Sequence, residues 1–251
     1  MILDILTLNL KLEYDDLRFI IPVIGTIIAF IIAWFPHKSQ ALKDKLAFKY
    51  GNDKGLTYHF WGTKFLGAIS FGLLTYIAYK IAFPETKLAD LGFTFYKASI
   101  LHTLLYSVGI GAILFFVTYR NCKKPESLSN YPQIRAKVWT KKMIVWTIVA
   151  WTVYLLGYEF LFRGVLLFPL VAKVGLWPAI AVNTALYSGT HVPKGLSETI
   201  GAFILGTILC LLTIYTGTIW IAFLTHLVMA LTNFGASLKF NADMVIEKVK
   251  K

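Results

Sequence analysis

Long uncharged apolar runs recur along this chain, separated by shorter polar stretches rich in lysine. A helix needs about 20 mostly apolar residues to cross a bilayer core. The pattern predicts spans at about 18–35, 65–83, 99–119, 143–171, 177–191, 197–215 and 218–238. Pro36 and Pro84 close the first two, because proline cannot continue the helix ladder. The fourth run exceeds one crossing and is expected to tilt or protrude. Residues 1–17 place isoleucine and leucine among Asp4, Glu13, Asp15 and Asp16. They lack the basic start of a signal peptide and suit a short interfacial segment. The expectation is an all-α fold, a polytopic transmembrane helical bundle. It has an interfacial segment at 1–17, one transmembrane domain at 18–238 and a basic cytoplasmic tail at 239–251.

Composition agrees: 57% of residues are hydrophobic, 15% are charged and mean hydropathy is +0.65. No polar stretch is long enough for a separate soluble domain. The net charge of +12 would suit nucleic acid, but the lysines lie between spans without the interleaved aromatics of a single-strand groove. No nucleic-acid partner is expected, and membrane lipid is. Six lysines fall between Pro36 and Lys64, and seven basic residues between Arg120 and Lys142. The tail adds Lys239, Lys248, Lys250 and Lys251. Seven spans put these three regions on one side and the acidic N-terminus with the loop 84–98 on the other. By the positive-inside rule the N-terminus is outside and the C-terminus cytoplasmic, in the plasma (cytoplasmic) membrane. Cys122 lies in a lysine-rich loop and Cys210 inside an apolar segment, so no disulfide is expected, and there is no C-x-x-C metal or redox spacing.

Candidate chemistry lies in the polar residues at membrane depth, where ionisable groups are costly and mark function. Glu159 and Arg163 are one helical turn apart, close enough to pair. Asn183, Tyr187 and His191 form a stripe at four-residue spacing. His226 lies mid-span, with Asn233 two turns on along nearly the same face. Glu198 has two readings: a first-turn carboxylate favoured by the helix dipole after Ser197, or a member of the same cavity as His191. Two histidines and one or two carboxylates suit either a zinc site held by Glu159, His191 and His226 or metal-free acid–base activation of water. No H-E-x-x-H or G-x-S-x-G motif is present.

Three stretches in order carry a family resemblance: Tyr158-Glu159-Phe160-Leu161-Phe162-Arg163-Gly164, Tyr187-Ser188-Gly189-Thr190-His191, and Thr216-Gly217-Thr218-Ile219-Trp220 leading to His226. Across about 140–235 the chain resembles the CPBP family, the CAAX prenyl proteases and bacteriocin-processing proteins also called the abortive-infection family. Leu88 to Phe93 is a weaker echo. The resemblance implies a bundle of seven to eight helices. It also implies that Glu159, His191 and His226 line a cytoplasmic-side cavity and activate water, with Arg163 holding the acidic position. Two positions depart from the family pattern. Tyr158 stands where the first of two adjacent glutamates belongs. Ala230 stands where an asparagine would stabilise the oxyanion, with Asn233 three residues beyond.

The leading expectation is an intramembrane metalloendopeptidase or glutamate-dependent endopeptidase. Its substrates would be membrane-associated peptides, prenylated C-termini or leader peptides, with Glu159, aided by Glu198, taking over from the missing glutamate. The alternative is a catalytically impaired member that binds peptide, serves bacteriocin immunity or acts as a scaffold. A transporter ranks last, because no internal repeat is visible.

Overall fold

The computed structural model describes residues 11–247. Most of the expected interfacial segment, Asp4 included, and the tail lysines Lys248, Lys250 and Lys251 lie outside the described residues. Among the described residues nine helices follow in order: α1 Leu17–Lys38, α2 Gln40–Tyr50, α3 Asn52–Ala82, α4 Lys97–Asn121, α5 Pro125–Asn130, α6 Lys141–Val174, α7 Leu176–Gly189, α8 Leu196–Thr216 and α9 Trp220–Phe240. The only strand pairing among the described residues is β1, Val138–Trp139, running parallel to β2, Val245–Ile246. Six helices, α1, α3, α4, α6, α8 and α9, are long and apolar enough to cross a membrane. The helical bundle is borne out, and the chain is an integral membrane protein.

Two expectations change in detail. The predicted fifth span is α7, of 14 residues, which rises only about 21 Å at 1.5 Å per residue against a hydrocarbon core of roughly 30 Å. It starts after Gly175, whose φ of 84° is a left-handed value that glycine adopts without strain. It stops where Thr190 and His191 lead into the 3₁₀ turn Val192–Lys194. The stretch 36–64 is not a loop either. It holds all of α2 and the first 13 residues of α3, because its lysines, alanine and leucines are good helix formers. Lys64 consequently sits inside α3 with 6% exposure, buried rather than solvated.

Contacts between helix ends sort into two faces. On one, Lys173 pairs with Asp15 and Asp16, and the Ile219 amide donates to the Gly92 carbonyl. On the other, Asp53 accepts from the Lys137 and Val138 amides, and Lys239 donates to the Tyr119 hydroxyl. The second face gathers the lysine-rich connections.

The long helix α6 is the centre of the bundle. In its apolar window 72% of residues are buried, against 17% for α4. Leu101, Leu105, Val108 and Phe116 of α4 are instead exposed, as suits a face turned to lipid. Both α3 and α6 contain a π-type stretch, Ile69–Leu74 and Phe160–Leu166. Such stretches widen the helix and occur often at functional sites. Gly157 lets the two helices meet backbone to backbone, since a Cβ there would lie 2.7 Å from the Ala68 carbonyl oxygen. Small residues permit this close approach in membranes.

Candidate active site

Glu159, just before the widened stretch of α6, and Arg163 within it lie in the bundle centre, both with no exposed surface. Arg163 Nε lies 3.1 Å from Glu159 Oε2. Its Nη1 donates to Asn183 Oδ1 of α7 at 2.7 Å and reaches Cys210 Sγ of α8 at 3.1 Å. Asn183 returns its Nδ2–H to the Phe162 carbonyl at 2.5 Å. One carbonyl of the π-type stretch is thus tied to α7. The guanidinium lies over the Tyr187 ring, 4.5 Å from its centroid, a favourable cation–π placement. That ring covers a group whose Nη2 has no hydrogen-bond partner. Three helices are therefore joined around one buried cation.

The other carboxylate oxygen, Glu159 Oε1, lies 2.6 Å from His226 Nδ1 of α9. A carboxylate can only accept, so Nδ1 carries the proton and Nε2 is the free ring nitrogen. His191 repeats the arrangement with a different acceptor. Its Nδ1 is 3.0 Å from the Tyr187 carbonyl oxygen and 3.1 Å from Thr190 Oγ1. The carbonyl has no proton to give, so Nδ1 is again the donor and Nε2 is free. Tyr158 fixes this turn: its hydroxyl is 2.8 Å from Thr190 Oγ1, which donates to the Tyr187 carbonyl at 2.7 Å. Tyr158 and Tyr187 pack between the histidines, their rings 5.7 Å from His226 and 5.2 Å from His191 respectively.

A cavity of about 380 Å³ opens above these rings. Its wall includes Tyr158, Tyr187, His191, Glu198, His226 and Asn233. Glu159, Arg163 and Asn183 do not line it. The expectation that Glu159 faces the cavity is corrected here, because both of its oxygens are turned to His226 and Arg163 beneath the floor. Glu198, a carboxylate in the first turn of α8, does face the space, so its helix-start position and its place on the cavity wall coexist. Its side chain is 30% exposed and accepts from the Tyr131 hydroxyl at 3.2 Å. Lys194 Nζ lies 3.7 Å away. Burial, then the neighbouring Glu198 charge, holds the Tyr131 hydroxyl well above the usual tyrosine pKa, so it remains a donor at neutral pH. Ala230 also lines the cavity, as does Asn233, whose Oδ1 is 3.3 Å from Cys122 Sγ.

A catalytic zinc takes three protein ligands and keeps one position open. Among the described residues no three His, Cys, Asp or Glu side chains are grouped to hold an ion. The set Glu159, His191 and His226 does not fit, because Glu159 is engaged by His226 itself and by Arg163. What the site offers is two imidazoles on one cavity, one of them backed by a buried carboxylate. Sequence reasoning missed Thr190, Tyr131 and the role of Cys210. Hydroxyl and thiol groups are too common in apolar helices for their spacing to single them out.

A family model described as type II CAAX prenyl endopeptidase Rce1-like matches residues 140–232. The matched stretch runs from the start of α6 to beyond His226 and bears out the family resemblance drawn from the motifs. Comparison with curated proteins and with solved structures gives no match.

Proposed function

We propose that the chain is an intramembrane endopeptidase that hydrolyses a peptide bond of a membrane-associated peptide without a metal, with the basic face cytoplasmic. The Glu159–His226 contact at 2.6 Å carries this reading. A buried carboxylate bonded to Nδ1–H fixes the imidazole tautomer and stabilises the imidazolium that forms when Nε2 takes a proton.

Water in the cavity gives one proton to His226 Nε2, and the oxygen bonds to the scissile carbonyl carbon. His191 Nε2 accepts the second hydrogen of that water and sets its orientation. As the carbon–nitrogen bond breaks, the His226 imidazolium returns its proton to the leaving amine. The products are a carboxylic acid and an amine. Glu159 acts through His226 and is a positioning residue, and Arg163 keeps it ionised. Supporting this assignment, Tyr158 occupies the cavity position of the absent carboxylate but is already committed to Thr190. Glu198, on the cavity wall, binds the peptide's amide groups.

The test is cleavage of a fluorogenic membrane-anchored peptide by the full chain in proteoliposomes. General-base catalysis contributes about 10²- to 10⁴-fold. His226→Ala and His191→Ala are each expected to lose at least about 10²-fold with the fold retained. Parent activity that survives both substitutions, or that a chelator abolishes and zinc restores, contradicts the metal-free dyad.

A further inference from the structure

Lys64 takes no part in the chemistry above, yet it lines the same cavity. It is 6% exposed, and among the described residues its ammonium has no hydrogen-bond or ion-pair partner. Aromatic rings flank it instead, with Nζ 3.9 Å from the Trp151 centroid and 4.1 Å from Tyr154. The neighbouring residue fixes its level in the bilayer. Thr63 Oγ1 lies 3.2 Å from His37 Nδ1, and His37 is the penultimate residue of α1. One turn earlier, His59 Nε2 lies 3.0 Å from the Pro36 carbonyl oxygen. Lys64 therefore stands where the first span ends, on the face that gathers the lysine-rich connections. Trp34 beside His37 and Trp151 and Tyr154 beside Lys64 are the residue types enriched at membrane–water interfaces.

Among the described residues the cavity wall carries three lysines, Lys64, Lys124 and Lys194, against two carboxylates, Glu126 and Glu198. Glu198 lies 3.7 Å from Lys194. Lys194 is also near enough for its charge to act on Lys64, so two cations converge on one space. Desolvating a lone ion is costly, and an anion received between the two offsets that cost. Phe30 and Trp34 of α1 with Leu114 and Val117 of α4 make another part of the wall apolar. Val117 is at the same time 50% exposed, next to Phe116 of the lipid-facing side of α4, so this wall continues to the lipid surface. We infer that Lys64 and Lys194 bind the phosphate of an anionic phospholipid from the leaflet at the lysine-rich face, with an acyl chain along the apolar wall. The site goes beyond peptide cleavage and does not rest on it. Basic pockets between spans hold anionic headgroups in this way. Free phosphate gains nothing from the apolar wall, and the lysines oppose the choline cation of phosphatidylcholine.

The experiment titrates the full chain in detergent with phosphatidylglycerol or phosphatidylcholine and reads the affinity of the first bound lipid by native mass spectrometry. The parent is expected to bind phosphatidylglycerol about tenfold tighter, as a charge-assisted contact implies. Lys64→Met should remove that preference by weakening phosphatidylglycerol alone, and Lys64→Arg should keep it. Should Lys64→Met fail to fold, Lys194→Met, at a partly exposed position, carries the test with a several-fold loss expected. Lys45→Met, on the exposed side of α2, should change nothing. Equal affinities in the parent, a preference that survives both Lys64→Met and Lys194→Met, or an equal loss in Lys45→Met overturns the inference. So does complete displacement of phosphatidylglycerol by inorganic phosphate, which would assign the site to the free ion.

Discussion

Two carboxylates of the candidate site, Glu159 and Glu198, sit in opposite surroundings. Glu159 has no exposed surface and hydrogen-bond partners on both oxygens. Glu198 is partly exposed, faces the cavity and leans on Tyr131 and a distant Lys194. The first can change a reaction only through the groups it holds, whereas the second can touch what enters. Charge at membrane depth thus has two uses here, and burial distinguishes them better than residue type does.

Breaking the buried side should have the largest effect. Arg163→Leu leaves Glu159 without its cation and Asn183 Oδ1 without its guanidinium donor. Removing one partner of a buried pair costs about 3–5 kcal/mol. The variant is expected to lose its monodisperse size-exclusion peak and its cooperative thermal transition, and a parent-like melting profile would contradict the account. The cavity side should give far smaller changes in stability. Tyr131→Phe removes one hydrogen bond, worth about 1 kcal/mol, and should leave folding intact. Because the Tyr131 hydroxyl pKa is raised in the folded chain, ionisation favours the unfolded state. Its contribution is therefore complete below the ordinary tyrosine pKa near 10 and is lost as pH rises beyond it. The stability gap between parent and Tyr131→Phe should be flat from pH 6 to 9 and shrink above. A gap that grows with alkali would show that the hydroxyl is not the donor described.

The bundle and its ion pair were readable because lipid constrains both: spans must be apolar, and a Glu–Arg pair one turn apart inside a span has few other uses. Glu159, Arg163, His191 and His226 all fall within the motif-bearing core read from sequence. Which of them reach the cavity was not readable. A π-type stretch rotates the side chains after Glu159 away from ideal helical positions, and no residue pattern in Phe160–Leu166 announces it. Lys64 was misplaced for a related reason. Lysine between apolar segments reads as a solvated connection, and only the meeting of α3 with Trp151 and Tyr154 of α6 reveals an aromatic cradle. Glu198 stayed ambiguous because its helix-start position has a sufficient local explanation, and the contact with Tyr131, 67 residues away, is tertiary.

In the proposed mechanism Glu159 works through His226 while Glu198 meets the peptide directly. Steady-state cleavage by Glu159→Gln and Glu198→Gln, each folded like the parent, tests it most directly. A loss confined to the chemical step lowers kcat without changing KM, whereas a lost binding contact raises KM. Glu159→Gln is expected to lower kcat by about 10²-fold or more at an unchanged KM, and Glu198→Gln to raise KM several-fold with kcat nearly preserved. The reverse pattern, with kcat lost in Glu198→Gln and retained in Glu159→Gln, would place the water-activating carboxylate on α8 and contradict the account.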